Sequence, residues 1–113
     1  MKIAIIGSGN LGLSIAKGLV YNNTYTSLYL TKRELNSIEK WEEYNNVKIT
    51  TDNQEAVKNA DIIIFTVQPG QFDGILEQIK GVLTDKHILI SAITGYSIQR
   101  METQLGENYP IIR

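Results

Sequence analysis

The 113-residue chain contains no cysteine and one histidine, His87. The first absence excludes disulfides, thiolate metal sites and a cysteine nucleophile. The second excludes a zinc centre built from several histidines. Proline is nearly as scarce, occurring only at Pro69 and Pro110, so breakers leave most of the chain free to form regular elements. A long hydrophobic run is also missing. The most apolar stretch, DIIIFTV at 61–67, falls far short of the ~20 residues of a membrane span. The aliphatics at 3–6 are too few for a signal-peptide core and run straight into glycine. Eleven basic residues stand against twelve acidic ones, for a net charge of −1. No global field of one sign invites nucleic acid or an anionic membrane. These absences lead us to expect a cytoplasmic protein with neither a nucleic-acid nor a membrane partner.

What is present alternates. Apolar runs of strand length occur at KIAIIG (2–7), SLYLT (27–31), VKIT (47–50), DIIIFTV (61–67), HILIS (87–91) and YPIIR (109–113). Helical spacing lies between them. Leu11, Ile15, Ala16, Leu19 and Val20 follow the first run, and Phe72, Ile75, Leu76 and Ile79 follow the fourth. Ile98, Met101 and Leu105 share a face of SIQRMETQL, ended by Gly106. DNQEAVKNA reads as a short helix with Asp52 or Asn53 as its N-cap. RELNSIEKWEEYN, with Leu35, Ile38 and Trp41 among charges, predicts a solvated helix. This alternation predicts one α/β domain over 1–113, a doubly wound parallel sheet with helices on both faces. Right-handed crossovers and a glycine turn after the first strand predict six strands in the order 3-2-1-4-5-6.

That turn contains Gly7, Gly9 and Gly12. In a Rossmann-type turn the first glycine permits the tight bend, the second admits a pyrophosphate, and the third lets the helix pack closely on the sheet. The free N–H groups of the helix then face the phosphates. Alone the pattern is weak, and a glycine turn in some other α/β domain is the alternative. Here it follows a strand, opens a helix and sits in a βαβ unit, the context that confirms it.

An NAD site places a carboxylate about 20 residues further on, at the end of the second strand. Thr31 occupies that place, followed by Lys32 and Arg33. A hydroxyl and two cations suit a 2′-phosphate, which a carboxylate would repel. The expected cofactor is therefore NADP(H) rather than NAD(H). The alternative is that Lys32 and Arg33 are solvated turn residues.

Three further segments narrow the reading. TTDNQEAVKNADIIIFTVQPGQ, ISAITGYSIQRMETQLG and YPIIR resemble successive motifs of the pyrroline-5-carboxylate reductase family. These are an Asn-containing turn leading to a strand that ends in Ala-Val-Lys-Pro, a Ser-x-Ala-Ala-Gly segment, and a Pro-Val-Ile-Arg strand. Together with the glycine turn, the resemblance runs the length of the chain. It implies that Ile6, Gly7, Ser8, Gly9, Asn10 and Leu11 hold the pyrophosphate, and Gly12 is expected among the cofactor-binding residues with them. Thr31, Lys32 and Arg33 would meet the adenosine ribose and its phosphate. Asn53 would touch the cofactor, although a simple N-cap role is its alternative. Thr66, Val67, Gln68 and Pro69 would flank the cofactor, and Ile93, Thr94 and Gly95 would lie near the nicotinamide. Two positions depart from the family: Gln68 stands for its usual Lys and Thr94 for its usual Ala.

The resemblance also implies an activity, the NADPH-dependent reduction of a cyclic imine carboxylate to proline. It further implies a helical domain beyond Arg113 that forms a homo-oligomer and most of the imino-acid pocket. The chain is then expected to be the cofactor half of such an enzyme, inactive and monomeric alone. The alternatives are the cofactor domain of a related NADP-dependent reductase and a nucleotide-sensing module without turnover. No residue is assigned as catalytic and none as a metal ligand. His87 is expected to take a surface or strand-entry role rather than to act as a general acid. Ser8, Ser14 and Ser91 lack a nucleophile's context. Tyr21, Tyr25 and Tyr29 are expected to be partly buried rather than to form a stacking surface.

Overall fold

The computed structural model describes residues 1–93, 95–106 and 109–112. Strand β1 (Lys2–Ile6) leads through the glycine turn into helix α1 (Asn10–Asn22), followed by β2 (Ser27–Thr31). Then come β3 (Val47–Thr50), α2 (Asn53–Lys58), β4 (Ile62–Phe65), α3 (Pro69–Ile79), β5 (Ile88–Ser91), α4 (Ile98–Leu105) and β6 (Ile111–Ile112). The six strands form one sheet in the order β3-β2-β1-β4-β5-β6. All five pairings are parallel. This is the expected Rossmann-type order, whose reversal point lies between β1 and β4.

Successive strand residues point to opposite faces, so β1 feeds two cores. Ala4 and Ile6 join Phe65, Phe72, Leu76, Met101 and others beneath α2, α3 and α4. Ile3 and Ile5 join Ala16, Leu28, Leu30 and Ile38 on the opposite face, beneath α1. Each helix is secured where its sequence allows. Asp52 caps α2 by accepting from the Gln54 and Glu55 amides at 3.0 and 3.2 Å. Ser97 caps α4 through the Arg100 amide at 3.1 Å. Such caps contribute about 1 kcal/mol each.

The link between β2 and β3 departs from expectation. In place of a solvated α-helix there are two 3-10 turns, Leu35–Ser37 and Glu39–Glu43. Leu35 opens the first turn and Trp41 lies in the second, while Ile38 stands at the junction between them, outside both, with φ −125°. Ile38 is fully buried, and Leu35 and Trp41 pack against the same core.

His87 enters β5 buried, as a structural residue. Its Nδ1 accepts from the Thr84 amide at 3.0 Å, which leaves Nε2–H to donate to the Val57 carbonyl at 3.0 Å. Of the three tyrosines, Tyr29 is buried and Tyr25 half-buried, its hydroxyl donating to Asn45 O at 2.8 Å. Tyr21 contradicts the expectation. It is 89% exposed because it lies on the outer side of the last turn of α1. No helix among the described residues is long and apolar enough to cross a membrane.

Candidate functional site

A cleft of about 900 Å3 opens at the carboxyl ends of the strands, beside the reversal point. Ligands of open α/β sheets bind in this position. Its floor is the glycine turn. Gly7 has φ +83°, and a Cβ there would overlap Val67 Cγ1. A Cβ on Gly12 would stand 2.6 Å from Thr66 Oγ1 and 3.1 Å from Ile5 Cγ2. The chain's own packing thus requires both of these glycines. Gly9 differs, since a Cβ there would meet nothing within 4 Å. Its missing side chain leaves a cradle that no described part of the protein fills. That is the form a close-approaching phosphate requires.

The turn is braced from both sides. The Gly7 amide donates to Thr31 Oγ1 at 3.1 Å, and the Ser8 amide donates to the Thr31 carbonyl at 2.7 Å. From the other side, Thr66 Oγ1 donates to the Gly7 carbonyl at 2.7 Å. Gly9 then acts as the N-cap of α1, with no side-chain cap and no acidic residue in the first turn. The first intrahelical bond runs from the Leu13 amide to the Gly9 carbonyl. The N–H groups of Asn10, Leu11 and Gly12 therefore have no acceptor among the described residues, and α1 presents its positive end to the cleft.

The expected residues fall into three sets. Gly7, Gly9, Thr31, Lys32, Arg33 and Asn53 line the cleft, as do Thr66, Val67 and Gln68. Ile6, Ser8 and Gly12 are buried behind its floor, and Asn10 and Leu11 are exposed on the first turn of α1. Pro69 is the first residue of α3. Ile93 is buried and Gly95 exposed with φ +80°, both beyond β5 and outside the lining. Thr94 lies outside the described residues.

Thr31 is only 2% exposed, and its hydroxyl and carbonyl brace the turn. Lys32 donates to Ser37 Oγ at 2.8 Å, while Arg33 is exposed at the cleft edge with no side-chain partner among the described residues. Asn53 leaves the capping to Asp52. Its Nδ2 donates to Gln78 Oε1 at 3.0 Å, joining the start of α2 to the end of α3.

Sequence reasoning missed one wall. Gly70, Gln71, Gly74 and Gln78 line the cleft from α3. The signal was present as glycines four apart, with a glutamine four further on, along one helical face, beside Ile75 of the apolar stripe, which also lines the cleft.

Behind that wall lies a second polar group. The Tyr96 hydroxyl donates to Asp73 Oδ1, and Arg100 donates to Asp73 Oδ2 at 2.8 Å. The guanidinium lies 4.6 Å from the Tyr96 ring centre. The bond from Tyr96 holds the Asp73 carboxyl below its usual range. Partial desolvation opposes this shift, and Arg100 adds to it. Burial, and then the Asp73 carboxylate, push the Tyr96 phenol up to about 12. No cluster of metal-ligating residues occurs among the described residues.

Residues 2–95 match the family model described as NADP oxidoreductase, coenzyme F420-dependent. Pyrroline-5-carboxylate reductase 1 of Dictyostelium discoideum is 43% identical over 115 residues, spanning 98% of this chain and 20% of that protein. Pyrroline-5-carboxylate reductase 2 of the same organism is 41% identical, spanning 99% of this chain and 39% of its own length. A solved pyrroline-5-carboxylate reductase from Coxiella burnetii superposes with a TM-score of 0.89 at 30% identity, over 97% of this chain and 42% of that one. The chain thus spans less than half the length of the relatives it matches.

Proposed function

We propose, from the premise that the chain belongs to the NADP oxidoreductase, coenzyme F420-dependent family, that it is the NADP(H)-binding unit of a pyrroline-5-carboxylate reductase. The observation that carries this reading is the open cradle at Gly9, in a cleft that runs on to Lys32 and Arg33 with no carboxylate at position 31.

The residues fit a dinucleotide in a definite sense. Its pyrophosphate lies over Gly9 and the free N–H groups of α1. The adenosine half extends toward the end of β2. There the guanidinium of Arg33 and the ammonium of Lys32 meet the 2′-phosphate. Asn53, steadied by Gln78, borders the same half. Thr66, Val67, Gln68 and Pro69, together with Ile93 and Gly95, border the other half. When bound, the reduced cofactor supplies hydride, and a cyclic imine carboxylate that accepts it becomes proline. This chain binds and orients the cofactor. In this reading the imino-acid pocket and the contacts of a homo-oligomer belong to the part of such a reductase that this chain does not span. The enzyme is cytoplasmic in this reading.

Titration calorimetry with NADPH and NADH tests the reading. An exposed, charge-assisted pairing contributes about 1–3 kcal/mol. NADPH should therefore bind roughly 10- to 100-fold more tightly, and the margin should shrink as salt rises. Arg33→Ala should weaken NADPH and spare NADH. Equal affinities in the unaltered protein would return Lys32 and Arg33 to solvated turn residues.

A further inference from the structure

In the dinucleotide reading the cofactor has two ends, and the structure holds their surroundings differently. The adenosine end lies by β2. The rest must run the other way, across the carboxyl ends of β4 and β5. Ile93 and Gly95 stand there, just past the last ladder bond of that edge, from the Ala92 amide to the Phe65 carbonyl at 3.0 Å. Among the described residues the Ile93 amide donates to Ser91 Oγ at 3.4 Å. Gly95 then turns with φ +80°.

Tyr96 follows at once, and it is fixed on every side. It is 1% exposed. One face of its ring meets Phe72 with centroids 4.5 Å apart, and Phe72 in turn meets Phe65 of β4 at 4.9 Å. The Arg100 guanidinium stacks on the ring, and the hydroxyl donates to Asp73. Asp73 precedes Gly74, a residue of the cleft wall, and Gly70 and Gln71 lie on the same helix.

We propose that Tyr96, Asp73 and Arg100 are positioning residues. They tether the backbone beyond β5, on which Ile93 and Gly95 lie outside the cleft lining, to α3, so that this backbone and the α3 wall keep one spacing beside the reacting half of the cofactor. The inference rests on the dinucleotide reading above. A phenylalanine at position 96 would fill the same aromatic stack. The hydroxyl adds a tether from that backbone to the helix that forms the cleft wall. The Arg100–Asp73 pair fixes the carboxylate that receives it.

The test compares two probes on the purified chain, NADPH and adenosine 2′,5′-bisphosphate, with the Tyr96→Phe variant. The bisphosphate reports only the adenosine end. Tyr96→Phe should lower the competent fraction of the site and weaken NADPH roughly tenfold. It should also lower the fluorescence anisotropy of the bound nicotinamide and speed amide exchange at Ile93, Gly95 and Tyr96. Affinity for the bisphosphate should stay within about twofold, because that end is untouched. Asp73→Ala, at a half-exposed position, should repeat the pattern if Tyr96→Phe fails to fold. Asp73→Asn keeps one acceptor for the phenol but loses the oxygen that receives Arg100, and should restore NADPH affinity only in part.

Equal losses for both probes, or NADPH binding and exchange both unchanged, would overturn the tether while leaving the dinucleotide reading intact. An unaltered protein that binds neither probe would remove both.

Discussion

The two faces of the sheet are covered unequally. Beneath α2, α3 and α4 the core is sealed from Ala4 across to Leu105. On the other face, apart from the strands themselves, the cluster draws among the described residues on α1, Tyr25 and the two 3-10 turns with Ile38 between them. Pairing places Ile64, Ile90 and Ile112 in one row on that face. Exposure along the row rises from 9% at Ile64 to 54% at Ile112. Ile88, beside Ile62, is 36% exposed. Strand sequence is set by which face a residue takes, whereas burial is set by whether a crossover lands on it. The β4–β6 side carries strand residues suited to a core that the described crossovers do not reach.

Ile38 breaks the comparison most forcefully. If the thinly covered face depends on its 3-10 turns, Ile38→Ala should destabilise the fold by about 2–5 kcal/mol, as for a fully buried aliphatic. Urea unfolding monitored by circular dichroism measures this. A loss near zero would make the turns mere surface covering.

Tyr96 sharpens the contrast from the sealed face. Its folded-state pKa is raised, so its contribution is complete below the ordinary value of 10.0 and is lost as pH climbs through about 12. That shift corresponds to about 2–3 kcal/mol by linkage. The stability difference between the unaltered protein and Tyr96→Phe should therefore shrink across that interval. Chemical denaturation of both proteins at matched alkaline pH measures it, and a difference independent of pH would contradict the buried hydroxyl. Asp73 behaves oppositely. Its lowered pKa gives a contribution present above 3.8 that fades as pH falls below that value.

The smallest effect belongs at the far end of the isoleucine row. Ile112→Ser should alter stability by no more than about 0.5 kcal/mol, since a half-exposed edge residue has little burial to lose. A melting shift as large as that of Ile38→Ala would mean that the row is covered after all.

Much of this architecture was legible in the sequence. Short β-branched runs alternating with 3.6-residue periodicity specify a parallel sheet, and the glycine turn specifies where its order reverses. Three features escaped, each for a physical reason. The Leu35, Ile38 and Trp41 spacing satisfies both α and 3-10 templates over so short a span, and the surrounding Glu and Lys residues favour the α reading. Gly70, Gln71, Gly74 and Gln78 were overlooked because an amphipathic pattern draws attention to the apolar stripe, while the cleft is lined mainly by the small, polar face. The Tyr96 group joins residues 23 and 27 positions apart, through contacts that no local window contains. At the cleft floor the sequence was clearest, because backbone approach demands glycine. Even so, only the packing separated Gly7 and Gly12, which the chain needs for itself, from Gly9.

The two threonine braces on the glycine turn have a kinetic consequence. A loop held at both shoulders by Thr31 and Thr66 is already shaped before any ligand arrives. Capture then demands no local folding step and forfeits little chain entropy. Association becomes a problem of collision and steering, governed by the cations at the rim and the ionic strength around them. Departure is governed by the contacts made once the ligand has settled. In the proposed reading, changes at Lys32 or Arg33 would therefore alter how quickly the cofactor is found, and changes at the braces would alter whether there is a finished seat to find.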